Sequence, residues 1–276
     1  ISGAGSELAV TSELAFGRIG RDGSGTMNIT NDGLLSFSGV NSDLNVVSDD
    51  GSPTPGTGIL NINSGGRVHG PVYMNVGGRP GATGTVNLSG AGSSITLLGA
   101  CTPDCPSGFA PPNQGAFLSV GINEGTGVVT VNDGATITID STGAPNDAEP
   151  PGFNLGADEF VGLRGDGTLN VEGTGSRVLV RGAQGFFSVG RQEDGSGTLN
   201  IRDGGSVIME NADGSATGFV ADSPGATGTV NVTGAGSVLD AGNYLGIGVN
   251  QAGADAGDGL IHLASGGTVK ADELEL

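Results

Sequence analysis

The chain has 276 residues, of which 56 are glycine, about three times the usual share of roughly 7%. The glycines follow no period of three, which excludes a collagen triple helix. A net charge of −19 excludes a basic surface for nucleic acid or anionic membranes. Since no apolar run approaches the roughly 18 residues of a spanning helix, we also expect no membrane insertion.

One short segment of the form Gly-Thr-Val/Leu-Asn-Val/Ile recurs along the whole chain, and we name it the anchor. Its eight copies start between 26 and 43 residues apart, a period typical of solenoids. They lie at 25–29, 58–62, 84–88, 127–131, 167–171, 197–201, 228–232 and 259–263. Alternation places Met27 and Ile29 on one face of the first anchor and Thr26 and Asn28 on the other.

A tight turn and two further short strands follow each anchor. Turns such as Asn-Asp-Gly at 31–33 and 132–134 supply the positive φ angles of a sharp corner. Second strands are predicted at 95–97, 137–139, 178–180 and 207–209, and third strands at 73–76, 117–120, 160–163, 186–189 and 244–247. Three strands per coil, each with one apolar face, predict an all-β fold: a single-stranded parallel β-helix of about eight to nine coils.

We expect this β-solenoid to run through 1–276 as one domain. The alternative fold is a sandwich or barrel. Its antiparallel hairpins would need Asn-Gly-type turns between paired strands. A pattern of three strands that recurs in every repeat fits the coil of a solenoid better.

The segments GTLNIRDGGSV (197–207) and GTVNVTGAGSVL (228–239), with FFSVGRQEDGSG (186–197) before them, resemble a known repeat. It is the repeat shared by type V secretion passengers, the autotransporter-like proteins, and PEP-CTERM-type exported proteins. The resemblance covers almost the whole chain. It implies a right-handed β-helix, a location at the bacterial surface or exterior, and a role in adhesion, matrix or filament formation. It brings no catalytic residues.

The first position of the third strands predicts a column of aromatic side chains flanked by acids. It reads Glu13, Asp43, Tyr73, Phe117, Phe160, Phe186, Phe219, Tyr244 and Glu273. Alternation turns the column away from the apolar stack. One interpretation is a ladder of stacked rings that braces a corner, since aromatic pairs gain roughly 0.5–1.5 kcal/mol beyond burial. The other is an exposed interaction stripe for sugars or lateral association, which full burial of Phe160 and Phe186 would contradict.

Two neighbouring coils carry long insertions between their second and third strands, at about 98–116 and 140–159. Loops this long are often functional, so we expect a joint binding surface, with tolerated surface insertions as the alternative. The first insertion contains Cys101 and Cys105. We expect them to form a small disulfide in an oxidising compartment, the alternative being two free thiols.

The outward Thr-x-Asn column of the anchors predicts side-chain ladders between coils. A flat threonine array that suits ice is the alternative, although Ile59, Val128 and Leu260 interrupt it.

No catalytic residue and no cofactor are expected. Most acids lie in Asp-Gly turns, as at Asp22 and Asp133, whereas glycan-cleaving β-helices need clustered carboxylates. Zinc lacks nearby ligands. Calcium at acidic turns such as Asp49/Asp50 and Asp255/Asp258 stays open, although the tandem nine-residue calcium repeat is absent.

Both ends of the chain fall inside the repeat, since Ile1 matches Ile29 and 273–276 matches 13–16. Open coil edges pair readily, so we expect either a fragment of a longer rod or subunits that stack end to end. The sequence thus predicts a non-catalytic, extracellular structural or adhesive β-solenoid of a bacterial surface, matrix or filament. Its expected partners are copies of itself, end to end or laterally, or glycans on host or neighbouring cell surfaces. The alternative is a β-helix protein that binds or cleaves glycans.

Overall fold

The computed structural model describes residues 1–12, 14–39, 41–47, 54–99, 115–142, 152–155, 165–191, 195–210, 215–250 and 256–276. These residues form three sheets in which every pairing is parallel. The chain visits the sheets in turn, so each coil adds one strand to each sheet. This confirms the three-sided parallel β-helix of about eight to nine coils. The described part of the chain contains no apolar helix of membrane-spanning length.

The anchors form one sheet of eight strands, the anchor sheet, and the second and third sheets have nine strands each. The anchor strands are Ser24–Ile29, Thr57–Ile62, Thr83–Ser89, Thr126–Asn132, Asp166–Glu172, Ser196–Arg202, Thr227–Thr233 and Asp258–Ala264. The second strands are Glu7–Val10, Leu34–Phe37, Arg67–His69, Ser94–Leu98, Thr136–Asp140, Arg177–Arg181, Ser206–Glu210, Val238–Asp240 and Thr268–Lys270. The third strands are Leu14–Ile19, Asn41–Val46, Tyr73–Val76, Phe117–Val120, Gly152–Leu155, Phe186–Val189, Thr217–Val220, Tyr244–Ile247 and Glu273–Glu275.

The register of the anchor sheet follows the repeat residue by residue. Gly197 lies opposite Gly228, and Asn200 lies opposite Asn231. Every predicted anchor is a strand of this sheet. The spacing between anchors varies from 26 to 43 residues, yet the register does not slip. The differences in length are therefore taken up between the strands.

The core runs along the axis of the coils. The predicted inward positions Leu60, Ile62, Val86 and Leu88 are fully buried, and the side chains of all three sheets join one apolar cluster. Each coil buries its apolar face only against its neighbours, so stability depends on stacking.

The corner between the third strand and the next anchor depends on glycine. Gly190 has φ 75°, and a Cβ there would lie 2.1 Å from the carbonyl oxygen of Thr227. Only a residue without a side chain fits this close approach between coils.

The predicted third strand at 160–163 is wrong. Gly152–Leu155 occupies that place, because it pairs with Phe117–Val120 on one side and Phe186–Val189 on the other. Phe153 at its second position is fully buried in the core, which Gly152–Leu155 thereby completes. This strand lies inside the predicted 140–159 insertion, so the segment between the second and third strands of that coil ends before 152.

The predicted aromatic column is also wrong in part. Phe219 lies opposite Ser188, two positions along from Phe186, because the strand begins at Thr217. This shift places Gly218 opposite the bulky Phe187. In the first coil, Phe16 lies opposite Asp43. The first-position column therefore reads Phe16, Asp43, Tyr73, Phe117, Gly152, Phe186, Thr217, Tyr244 and Glu273.

Candidate functional site

Three of the six predicted stripe residues form one cluster on the outer face of the third sheet. The ring centroids of Phe186 and Phe219 are 6.0 Å apart, and those of Phe219 and Tyr244 are 5.5 Å apart. Phe219 faces outward because its neighbours Gly218 and Val220 point into the core. The rings thus brace neighbouring coils from outside the core.

Burial distinguishes the two interpretations of the aromatic residues. Phe186 and Phe219 are 6% and 3% exposed, which contradicts a solvent-exposed stripe at these two positions. Tyr244 is half-buried. At Phe186 and Phe219 the rings brace the corner as the first interpretation expects, with planes tilted by 38° rather than stacked, and Tyr244 is the ring of the cluster that solvent reaches.

The other predicted stripe residues lie apart from this cluster. Tyr73 and Phe117 are opposite each other and half-buried. Gly152 separates them from Phe186, so the column is interrupted there. Phe160 lies outside the described residues, as do Glu13, Cys101 and Cys105. The predicted disulfide and most of both insertions therefore stay predictions.

An ion pair between a partly exposed arginine and a buried carboxylate covers one side of the cluster. The guanidinium of Arg191 lies 4.8 Å from the ring centroid of Phe186, and its Nε is 3.5 Å from Asp222 Oδ2. Asp222 is buried, so its charge needs this partner. Sequence reasoning missed both residues because they lie in the variable turns after the third strands, outside every repeating column.

A groove of about 580 Å³ opens at the corner where the second sheet meets the third sheet. It is lined by Gln184, Phe186, Ser215, Thr217, Phe219, Asn243 and Tyr244. Gln184 and Asn243 are exposed, and each lies in a turn just before a third strand. The backbone N–H of Gln184 donates to Ser215 Oγ at 3.0 Å, which ties together two of the coils that form the groove. Four polar side chains and the half-buried ring of Tyr244 thus line one concavity, together with the buried rings of Phe186 and Phe219.

The hydroxyl of Tyr244 donates a hydrogen bond to the carboxylate of Glu275 in the last coil. Burial, this hydrogen bond, and the charges of Glu275 and Glu273 together raise the pKa of Tyr244 to about 12. The phenol is therefore neutral at physiological pH, and the nearest fixed charges are negative.

The predicted asparagine ladder is confirmed on the outer face of the anchor sheet. Each side-chain amide donates to the equivalent residue of the preceding coil. The bonds are Asn61 to Asn28 at 2.8 Å, Asn87 to Asn61 at 2.9 Å, Asn170 to Thr130 at 3.3 Å, Asn200 to Asn170 at 2.9 Å and Asn231 to Asn200 at 2.9 Å. These amides bond to each other between coils, which gives the Thr-x-Asn column a structural explanation.

The inward leucines of the terminal coils are exposed. Leu263 and Leu274 are 51% and 58% exposed, whereas their partners in the preceding coil, Val232 and Leu245, are buried. At the other end of the described stack, Leu8 is 46% exposed. The first and last described coils thus present apolar side chains at positions that neighbouring coils cover elsewhere.

Among the residues that the structure describes, no group of three or more His, Cys, Asp or Glu side chains is placed to hold a metal ion. Of the predicted calcium turns, Asp49, Asp50 and Asp255 lie outside those residues.

The fold defines the class of protein, a three-sided parallel β-solenoid. The chain is similar to the uncharacterized lipoprotein YdeK of Escherichia coli (strain K12), at 29% identity over 256 residues. The match covers 78% of this chain and 17% of that protein, so the chain spans about a sixth of the relative's length. No family model and no solved structure matches the chain.

Proposed function

We propose that the chain is a non-catalytic structural β-solenoid of a bacterial surface, matrix or filament. The observation that carries this proposal is the unbroken pairing of coils, since each inner strand of all three sheets pairs with a strand on both sides. A stack of this kind resists unwinding because each coil is held by its neighbours. Neither catalysis nor a cofactor is needed for such a role. The melting temperature should therefore not change when EDTA removes divalent cations.

Coil-on-coil contact at the exposed ends is the proposed mode of assembly. Leu263 and Leu274 are exposed, whereas the equivalent Val232 and Leu245 are covered by the next coil, so this face of the last described coil can accept a further coil. A coil of a second copy fits this surface, since the same repeat forms both faces. The burial of Phe186 and Phe219 favours end-to-end over lateral contact, because the third sheet offers no open stripe at those positions.

Sedimentation of the 276-residue chain tests the assembly. We expect species that grow with concentration and short rods or fibres in electron micrographs. The double variant Leu263→Asp/Leu274→Asp should abolish them, because each charge would be buried without a partner. Leu260→Asp is the matched control, since Leu260 is 57% exposed in the same coil but faces away from the core. A chain that stays monomeric at every concentration, or that associates equally well as the double variant, would contradict end-to-end assembly.

An extracellular or cell-surface location is proposed on two grounds. The repeat resembles that of type V secretion passengers and exported repeat proteins, and the similar protein YdeK is named as a lipoprotein. Digestion of intact producing cells with an external protease tests it. Loss of the protein without lysis supports surface exposure, and protection until lysis contradicts it.

An adhesive role is the second candidate, favoured by the groove beside Tyr244. Attachment of producing cells to glycan-coated surfaces would measure it. Equal attachment by cells that lack the protein would contradict the adhesive role and leave the structural role intact.

A further inference from the structure

We propose that the groove lined by Gln184, Asn243 and Tyr244 binds a ring of a neutral sugar. The inference rests on the adhesive part of the proposed function and not on the structural part. The volume of about 580 Å³ lies within the roughly 300–1,000 Å³ of small-molecule sites. Its lining combines apolar and polar side chains, as recognition of a sugar requires.

The apolar part of the groove that a ligand can reach is the ring of Tyr244, since Phe186 and Phe219 are buried. Tyr244 contacts Phe219, and Phe219 contacts Phe186, so the position of the Tyr244 ring is fixed before a ligand arrives. The C–H bonds on one face of a pyranose carry partial positive charge and pack against the negative face of an aromatic ring. A rigid aromatic wall gains this contact at little cost in conformational entropy.

The polar part of the groove matches the hydroxyl groups of a sugar. The amides of Gln184 and Asn243 each offer both a donor and an acceptor, and the hydroxyl of Thr217 can do either. Within the described residues, no protein partner holds the side-chain amide of Gln184 or Asn243. A sugar hydroxyl, which also donates and accepts, can pair with such groups in either sense.

The charges near the groove select against anionic ligands. The carboxylates of Glu275 and Glu273 lie close enough to raise the pKa of Tyr244, and the whole chain carries a net charge of −19. Arg191, which lies against Phe186, is paired with the buried Asp222. A phosphate or a uronic acid would therefore meet repulsion, and the described lining of the groove contains no Lys or Arg to offset it, whereas a neutral sugar would not meet this repulsion.

Tyrosine fluorescence tests the site directly. The chain has no tryptophan and two tyrosines, Tyr73 and Tyr244. The variant Tyr73→Phe therefore leaves the tyrosine of the groove as the sole tyrosine fluorophore, and phenylalanine already occupies the equivalent position in the next coil at Phe117. Cellotetraose, maltotetraose and chitotetraose are the neutral probes, and tetragalacturonate is the anionic comparison.

We expect at least one neutral tetrasaccharide to change the Tyr244 emission saturably at millimolar concentration. Adding Gln184→Ala and Asn243→Ala should weaken that binding about tenfold, the effect of losing one or two hydrogen bonds. Asn87→Ala is the matched control, since Asn87 is an exposed asparagine on the anchor sheet, and it should bind unchanged. Circular dichroism verifies that each variant is folded.

Three results would overturn the proposal: no response to any neutral probe by fluorescence or saturation-transfer NMR, unchanged binding by the double amide variant, or equal binding of tetragalacturonate. The same preparations are sedimented in parallel. If the protein assembles but binds no sugar, only the sugar site is contradicted. If it does not assemble, the structural role is contradicted.

Discussion

The ring of Phe153 stacks on the ring of Phe187 inside the solenoid, with centroids 5.5 Å apart and planes inclined by 15°. The two residues are opposite each other in neighbouring third strands, and both are fully buried. In the next coil the same column holds Gly218. The space that a side chain would fill there is taken by Phe187, since a Cβ on Gly218 would lie 2.1 Å from its ring. Size complementarity between coils thus sets the packing of this column.

Gly218→Ala should therefore destabilise the protein by about 1–3 kcal/mol, the usual cost of overpacking a core. The Phe187 ring is fully buried and stacks on Phe153 on its other side, so it yields only by disturbing that contact. Gly23→Ala is the control, since a Cβ there meets nothing within 4 Å. Thermal and urea unfolding measure both variants. If Gly218→Ala unfolds at the same midpoint as Gly23→Ala, the packing of this column is looser than the ring contact indicates.

Asparagines in the middle of the ladder should contribute more to the free energy of unfolding than those at its exposed margin. Asn200 is buried, donates to Asn170 and accepts from Asn231, both at 2.9 Å. Asn200→Ala removes both of these bonds and the bond that Asn200 Oδ1 accepts from Arg202 at 3.2 Å, and it should cost about 1–3 kcal/mol. Asn87→Ala removes one bond from an exposed position and should cost less than about 1 kcal/mol. If Asn200→Ala and Asn87→Ala lose the same stability in urea unfolding, the ladder contributes no more at its buried centre than at its exposed margin.

The serines that close the longer turns stabilise the neighbouring coil. Ser237 is fully buried, accepts from the N–H of Gly204 at 3.1 Å and donates to the carbonyl of Thr233 at 2.7 Å. Ser93 and Ser176 accept equivalent N–H bonds from the preceding coil. Ser237→Ala leaves the Gly204 N–H without this acceptor and should cost about 1–3 kcal/mol.

Ser6 closes the same kind of turn at the first corner, where it is only partly buried. Ser6→Ala should therefore lower the unfolding midpoint far less than Ser237→Ala. A comparable drop for both would mean that the serine acts within its own turn rather than between coils.

The repeat made most of the fold predictable. The alternation seen at Leu60 and Ile62 recurs in every anchor. The repeat length, the inward face of each strand and the buried residues could therefore be inferred from the local sequence pattern. The third strand of the fifth coil could not be inferred in this way. Both 152–155 and 160–163 contain an alternating apolar pair, and what distinguishes them is the pairing of Gly152–Leu155 with strands on both sides.

The candidate site was predictable only in part. The aromatic residues gave a signal because they recur, but the displacement of Phe219 depends on Gly218 making room for Phe187 in the adjacent coil. That complementarity exists only once the coils are stacked. Gln184 and Asn243 lie in turns of varying length, where no column connects them in sequence.

The phenol of Tyr244 provides a pH-dependent test of the groove. Its pKa is raised from 10.0 to about 12, first by burial and then by Glu275 and Glu273. Because the folded state holds the proton more tightly, the contribution to stability is full below pH 10 and is lost as the pH rises from about 10 to 12.

Absorbance titration of tyrosinate in the Tyr73→Phe variant should place this ionisation near pH 12. Glu275→Gln should lower the pKa of Tyr244 yet leave it above 10.0, because burial is the largest cause. Glu210→Gln is the control, since that carboxylate pairs with Arg181 at 2.7 Å and is not among the groups that raise the pKa of the phenol. Ionisation near pH 10 in the folded protein would show that Tyr244 is more open to water than its contacts with Phe219 and Glu275 imply.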